Sequence, residues 1–193
     1  MSRARALPAH DLARIAVFAA LIAVLGLPGQ LLLFGNSVPV TLQTLGVMLA
    51  GSLLGPRLGA LSVASFLALV AAGLPLLAGG RGGLGVFAGP SVGYLLGWVA
   101  GAGVIGWVLR FTGPRYRPVL GFAANVIGGL GVIYAVGIPL QAWITDTSLL
   151  VAAGVAAVFL VGDLIKAVIA TLVAAGVHRA YPQLSSRPSA ALR

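Results

Sequence analysis

Apolar stretches long enough to cross a lipid bilayer follow one another along almost the whole chain. A membrane-spanning helix needs about 20 mostly apolar residues, and the 193 residues are 60% hydrophobic and only 8% charged. Soluble domains carry about 25% charged residues. Because no soluble core can hide so much apolar surface, the sequence predicts an all-α integral membrane protein.

Glycine and proline clusters and charged residues divide the chain into six predicted transmembrane helices. Five lie near residues 12–33, 38–54, 58–77, 89–109 and 119–139, and the sixth ends at 178. We predict a single membrane domain over residues 1–193, with the six-helix bundle at about 12–180 and cytoplasmic tails at 1–11 and 181–193.

The placement of positive charge predicts the orientation. Ten of the twelve Lys and Arg residues lie on one side of a six-span protein: three at or before the start of span one, one between spans two and three, three between spans four and five, and three after span six. Since basic residues favour the cytoplasmic side, both termini are predicted there, in a multi-pass protein of the cell membrane. The basic residues flank apolar stretches and form no basic run, which excludes nucleic acid as a partner. Arg81, in an outer loop, and Lys166, inside span six, are left unexplained.

Few residues here can carry chemistry. The chain has no cysteine or glutamate and three aspartates, so it offers no thiolate, no paired carboxylates and no metal-binding cluster. We therefore predict no catalytic residue, metal or cofactor. An intramembrane enzyme that uses Lys166 as a base and Asp163 as its partner is the weakest alternative, because no nucleophile accompanies them.

The segment GDLIK carries the strongest local signal. Asp163 and Lys166 stand three residues apart in a helical run and therefore share a face. A charge at this depth costs at least about 2.5 kcal/mol, so such residues pair and line a cavity or pathway. A purely structural ion pair is the other interpretation.

A glycine-rich segment, residues 79–83, surrounds Arg81 in the loop after span three. Glycine lets a backbone approach a ligand closely, and the guanidinium fork of arginine matches a carboxylate. The loop is either the lid of an outward-facing pocket, with Gly82 against the ligand, or a mobile loop with a solvated arginine.

Polar residues also interrupt two of the spans. Thr41, Gln43 and Thr44 follow Pro39 at the start of span two, Asn125 lies in span five, and Gln141 lies beyond the predicted end of that span. In a membrane such side chains face protein or water. They either satisfy neighbouring helices or line a pocket.

Small residues form two helix faces. Glycines recur every fourth residue from Gly89 to Gly101, which predicts close packing inside the bundle. Ala16 and Ala20 form a second face on span one, whose partner is either another span or another subunit.

The remaining aromatic and histidine residues receive simpler interpretations. Trp98, Trp107, Tyr116 and Tyr134 are interpreted as interface or packing aromatics. His178 is interpreted as an interface anchor.

Three segments together resemble the BioY family, the biotin-specific S components of energy-coupling factor (ECF) transporters. They are VPVTLQTLGVMLAGSLLGPRLGA, AGGRGGLGVFAGPSVGYLLGW and GDLIK, in the expected order. The resemblance implies a six-helix bundle that captures biotin from outside with high affinity and joins a transmembrane coupling (T) component and two ATPases. It also implies that the face containing Ala16 and Ala20 contacts the coupling component.

The resemblance also suggests how biotin is held. Asp163 accepts a hydrogen bond from a ureido N–H, Lys166 donates to the ureido carbonyl, and Arg81 binds the carboxylate. The reversed orientation, with Lys166 on the carboxylate, stays open. The position of Tyr94 in the second of these segments resembles the family pattern, and its ring is expected to pack on the bicyclic ring of biotin.

Gln43, Thr41 and Gly82 complete the candidate binding residues. The same residues would also serve an autonomous biotin carrier that needs no ATPase, and nothing in the sequence separates the two.

Overall fold

A computed structural model describes residues 7–29, 38–112 and 115–181 and is built from α-helices in these ranges. The helices are α1 (Ala9–Val24), α2 (Gln43–Ala71), α3 (Val92–Leu109), α4 (Pro118–Val126), α5 (Ile133–Ile144), α6 (Leu149–Ala156) and α7 (Val158–Ala180). Four helical stretches are long and apolar enough to cross a membrane: Gln43–Ala71, Val92–Leu109, Pro118–Ile144 and Val158–Ala180. The prediction of an all-α protein is confirmed for this part of the chain.

Helix α2 consists of two helices that fold back on each other at Gly55. This glycine has a φ of 80°, a left-handed conformation that favours glycine. A β-carbon at Gly59 would lie 2.9 Å from the carbonyl oxygen of Ala50, although nine residues of straight helix span about 13 Å. The two halves, residues 43–54 and 56–71, therefore run side by side, as two of the predicted spans require.

Helices α4 and α5 join into one stretch through a π-helical segment, Ile127–Val132. The prediction that this span ends at Pro139 is wrong, because α5 continues to Ile144. A proline removes only one backbone hydrogen bond, and packing on neighbouring helices compensates for it inside a membrane protein. Gln141 consequently lies within the helix and not beyond its end.

Other predicted boundaries shift by a few residues. Helix α1 begins at Ala9, inside the predicted tail, and residues 30–33 of predicted span one lie outside the described residues. Helix α2 ends at Ala71 because Gly73, with a φ of 105°, turns the chain before Pro75. The last predicted span comprises the short helix α6 and the long helix α7, with a break at Ala157. Of the predicted C-terminal tail, residues 182–193 lie outside the described part.

The glycine face of α3 packs against the α4–α5 stretch. β-Carbons at Gly93, Gly97 and Gly101 would lie 2.6–3.0 Å from backbone atoms of Val136, Ile133 and Gly128. Close helix packing is confirmed for these three glycines. Gly89 precedes the helix, which begins at Val92.

The largest buried apolar cluster lies between α2, α3 and α5. Phe66 is fully buried and its ring lies 6.3 Å from that of Trp98, while Ile133 packs into the same cluster from α5. This cluster forms the apolar floor of the cavity described next.

Candidate functional site

A cavity lies among the start of α2, the glycine-rich loop, α3, α5 and α7. It encloses about 540 Å³ of space, including the part open to solvent. One set of lining residues is apolar: Val38, Pro39, Val40, Leu77, Leu95, Trp98, Ile133 and Phe159. The other is polar: Thr41, Gln43, Thr44, Arg81, Ser91, Tyr94, Tyr134, Asp163 and Lys166. An apolar cavity with a few convergent polar groups is typical of small-molecule sites.

Asp163 and Lys166 form a buried ion pair on one face of α7. Their side chains are 6% and 7% exposed, and Lys166 Nζ lies 2.9 Å from Asp163 Oδ1. Lys166 also donates to the Thr41 carbonyl at 2.6 Å and to Thr44 Oγ1 at 3.0 Å. All three ammonium hydrogens therefore have acceptors. The expected pairing of these two residues in a cavity wall is what the structure contains.

The Asp163 carboxylate keeps room for one more donor. Oδ1 accepts from Lys166 and from Thr44 Oγ1 at 3.2 Å, and Oδ2 accepts from the Tyr134 hydroxyl at 2.8 Å. A carboxylate has about four acceptor positions, so one remains on this residue, which lines the cavity. Lys166 holds the charge in place while Thr44 and Tyr134 fix its orientation.

Tyr134 is a site residue that the sequence interpretation missed. The sequence suggests an interface or packing aromatic, whereas the Tyr134 hydroxyl bonds Asp163 from α5, 29 residues earlier in the chain. No local pattern around Tyr134 signals this contact. Only the packing of α5 against α7 brings the two together.

The glycine-rich loop is a folded turn that carries Arg81 into the cavity wall. Gly79 and Gly80 have φ values of 78° and 69°, and Leu77 and Arg81 exchange backbone hydrogen bonds of 3.0 and 3.2 Å. Arg81 Nε donates to the Ala78 carbonyl at 3.3 Å. Partial burial lowers the pKa of the guanidinium below its usual value, because desolvation disfavours the charged form.

Arg81 has no counter-ion in the described part of the chain. The three aspartates of the sequence are otherwise placed: Asp11 pairs with Arg14, Asp163 pairs with Lys166, and Asp146 is exposed in the turn after α5. A half-buried cation in a cavity wall without an internal anion favours an anionic ligand.

Gln43 lines the cavity but its amide holds the scaffold together. Nε2 donates to the carbonyls of Ile22 at 3.2 Å and Leu76 at 3.1 Å, and Oε1 accepts from the Ala78 amide at 3.1 Å. The side chain therefore ties α1, α2 and the Arg81 loop together. Gln43 satisfies neighbouring segments and also borders the cavity, so both sequence interpretations apply in part.

Thr41 and Gly82 differ in their relation to the cavity. Thr41 lines it and offers its backbone carbonyl to Lys166. Gly82 is not among the lining residues, and a β-carbon there would collide with the carbonyl of Leu74. The loop packs against the turn that follows α2 at this point, which explains the glycine without a ligand.

Tyr94 presents its ring to the cavity while its hydroxyl is engaged elsewhere. The hydroxyl donates to Gln141 Oε1 at 2.7 Å, and the ring makes edge contacts with Tyr134 and Phe159 at centroid distances of 6.4 and 6.2 Å. A β-carbon at Gly137 would lie 2.5 Å from the ring. These contacts fix the orientation of the Tyr94 ring, and the ring forms an apolar part of the cavity wall.

Ala16 and Ala20 lie outside the cavity, on the exposed side of α1. The opposite side of this helix buries Ile15, Ala19 and Ile22 against the bundle. The described helices therefore leave the Ala16/Ala20 face uncovered.

A second set of buried polar residues, Ser52, Asn125 and Thr171, lies away from the cavity; we call it the Asn125 cluster. Ser52 Oγ donates to Asn125 Oδ1 at 3.0 Å, and Asn125 Nδ2 donates to Thr171 Oγ1 at 3.1 Å. His178 lies 3.2 Å from the Ser52 carbonyl and stacks on Tyr116, so it packs in the bundle as well as marking its end. The helix-to-helix interpretation holds for Asn125.

Metal ligands are not grouped in the described ranges: no three His, Cys, Asp or Glu side chains come together there.

Known proteins resemble this chain over most of its length. A protein of Rhizobium etli named biotin transporter BioY is 44% identical over 183 residues, which cover 92% of this chain and 98% of that one. A probable biotin transporter BioY of Bacillus subtilis is 44% identical over 173 residues, covering 88% of this chain and 91% of that one.

The fold and the family lead to the same relatives. The crystal structure of the S-component for biotin from an ECF-type ABC transporter superposes with a TM-score of 0.85 at 31% identity, covering 90% of this chain and 95% of that one. The sequence model of the BioY family matches residues 1–183. The chain therefore belongs to the BioY family.

Proposed function

We propose that this chain is the biotin-binding S component of an ECF-type transporter. Family membership, the names of the relatives and the likeness to a solved biotin S-component support this role. They support transport and not catalysis, against the alternative of an intramembrane enzyme. The observation that carries the proposal is one cavity whose wall holds the buried Asp163–Lys166 pair and Arg81, which has no counter-ion among the described residues, around an apolar interior.

Biotin offers groups that match this cavity. Its ureido ring has two N–H donors and a carbonyl, its thioether ring is apolar, and its tail ends in a carboxylate. The free acceptor position of Asp163 suits a ureido N–H. Lys166 can donate to the ureido carbonyl if it releases the Thr41 carbonyl, since its three hydrogens are already used. Each such charge-assisted bond contributes about 1.5–3 kcal/mol.

Charge supports the orientation with the carboxylate at Arg81. Lys166 is already neutralised by Asp163, so a second carboxylate beside it would gain little and would repel Asp163. Arg81 has no such partner in the described residues. The ligand anion is therefore expected at Arg81 and the ureido ring at the ion pair.

Six spans with cytoplasmic termini accord best with the helices. The fold-back at Gly55 supports counting α2 as two spans. Together with α1, α3, the α4–α5 stretch and α6–α7, this gives six spans in one membrane domain. The arginines outside the spans, except Arg81, then lie on the cytoplasmic side, and the cavity that Arg81 lines opens to the outside of the cell membrane.

Transport requires partners in this proposal. The uncovered Ala16/Ala20 face allows close approach of another helix, and we assign it to the coupling component, which would link the chain to two ATPases. Biotin uptake should therefore require both kinds of partner. Undiminished uptake in cells without any coupling ATPase would instead favour an autonomous carrier.

Calorimetry of the purified full chain tests the binding function directly. Biotin is expected to bind tightly, while thiamine and riboflavin, which lack a ureido ring with a carboxylate tail, are expected not to bind. Equal binding of all three vitamins, or no binding of biotin, would overturn the proposal.

A further inference from the structure

Ser91 is a buried serine whose hydroxyl has no hydrogen-bond partner in the described part of the chain. It is 7% exposed and lines the cavity. It stands at the N-cap of α3, where a serine normally accepts hydrogen bonds from the second or third helical amide. Its φ and ψ of −77° and −13° are helical, and it makes no such cap. The hydroxyl is thus available to a ligand.

The amides that Ser91 leaves uncapped are those of Gly93 and Tyr94. The Val92 amide bonds the Gly89 carbonyl at 3.0 Å and the Leu95 amide bonds the Ser91 carbonyl at 3.1 Å. Between them, the Gly93 and Tyr94 amides have no carbonyl acceptor in the described ranges. Free amides at the start of an 18-residue helix attract anions, because the helix dipole adds to their donor capacity.

Positive charge reaches the same cavity from the neighbouring loop. Arg81 and Ser91 both line it, and Arg81 forms no ion pair with a described carboxylate. The Arg81 guanidinium, the unpartnered Ser91 hydroxyl and the uncapped amide of Tyr94, which also lines the cavity, are all donors. Together they match the oxygens of one carboxylate.

We propose that Ser91 forms, with Arg81 and the Tyr94 amide, the subsite for the ligand carboxylate. The inference rests on the proposed function for the identity of the ligand, biotin. It adds a residue, Ser91, that makes the site selective for the acid over uncharged derivatives of the same vitamin. Arg81 supplies the positive charge, and the donors at the start of α3 fix the orientation of the carboxylate.

Calorimetry with biotin and biotin methyl ester tests the subsite on the purified full chain. Ser91→Ala should weaken biotin binding about tenfold, the loss of one hydrogen bond to a charged group, and change ester binding less than about twofold. Ser91→Thr keeps the hydroxyl and should bind biotin like the parent. Ser62→Ala is the matched control, since Ser62 is a buried serine of α2 bonded to the Leu58 carbonyl and is absent from the cavity lining.

The outcomes separate this inference from the proposed function. If the parent binds biotin and Ser91→Ala binds it equally well, or loses acid and ester binding by the same factor, the subsite is wrong and the function stands. Equal losses in Ser91→Ala and Ser91→Thr would also overturn the subsite, because the hydroxyl would not matter. A parent that binds no biotin would overturn the proposed function itself.

Discussion

Helix α7 carries two buried polar regions that differ in charge and in what surrounds them. In its first half, Asp163 and Lys166 line a cavity and keep one acceptor position open. In its second half, Thr171 joins Asn125 and Ser52 in a neutral cluster away from the cavity. Thr171 also donates to the Ala167 carbonyl at 2.7 Å, so each of the three side chains of the Asn125 cluster has a hydrogen-bond partner inside the bundle.

The difference shows how to distinguish a binding site from helix packing inside a membrane protein. Neutral hydrogen bonds between helices contribute modestly to stability, about 0.6–2 kcal/mol each. A buried ion pair is a costly way to pack helices, because desolvation offsets much of its attraction. A charged residue that lines a cavity, such as Asp163, indicates a ligand-binding site. The Asn125 cluster, whose side chains bond one another, instead stabilises the packing of the helices.

Removing the charge of Asp163 is expected to have the largest effect on binding. Asp163→Asn should weaken biotin binding about 100-fold or more, because Lys166 loses its counter-ion and the ureido N–H loses a charged acceptor. Calorimetry measures the effect. Asp146→Asn is the control with the same change of charge, at an exposed position outside the cavity, and should bind like the parent. Parent-like binding by Asp163→Asn would erase the distinction between the two regions.

Loosening Asp163 without changing its charge is expected to have an intermediate effect. Tyr134→Phe removes the 2.8 Å hydrogen bond to Oδ2 and should weaken biotin about tenfold, since the carboxylate is no longer fixed. In Tyr94→Phe the ring stays and the lost hydroxyl bonds Gln141, so binding should change less than about threefold. If the two variants had the opposite order, the ring-wall role of Tyr94 and the orienting role of Tyr134 would both be wrong.

Breaking the Asn125 cluster is expected to have the smallest effect on binding. Asn125→Ala leaves the hydroxyls of Ser52 and Thr171 without this partner and should destabilise the fold by about 1–3 kcal/mol. The thermal midpoint should fall by several degrees, while the Kd for biotin changes less than about twofold. A large loss of affinity in a still-folded variant would contradict the assignment of this cluster to packing.

Much of the fold was predictable from the sequence because membrane helices impose strong constraints. The apolar stretches, the glycine face of α3 and the pairing of Asp163 with Lys166 each depend on a local spacing, and each appears in the structure. Helix ends were less predictable. Pro139 marks no end, since neighbouring helices tolerate the lost hydrogen bond, and α5 continues past it.

The partners of the site residues could not be predicted, because they come from distant helices. Tyr134 and Thr44 reach Asp163 from α5 and α2, and Ser91 lines the same cavity from the start of α3. The sequence leaves open whether Gln43 satisfies neighbouring helices or lines a pocket, and only the structure names the partners of its amide, among them the Ala78 backbone N–H next to the loop of Arg81. Family resemblance supplied the ligand, which no local pattern identifies.

The central claim is that the two ends of biotin meet two different charged sites, and Arg81→Ala tests it most directly. The measurement is the ratio of the dissociation constants for biotin methyl ester and biotin. If Arg81 holds the carboxylate, Arg81→Ala should weaken biotin at least about tenfold and leave the ester nearly unchanged, so that the ratio falls by the same factor. An unchanged ratio in Arg81→Ala, together with a collapsed ratio in Lys166→Ala, would contradict the account and place the carboxylate at the ion pair.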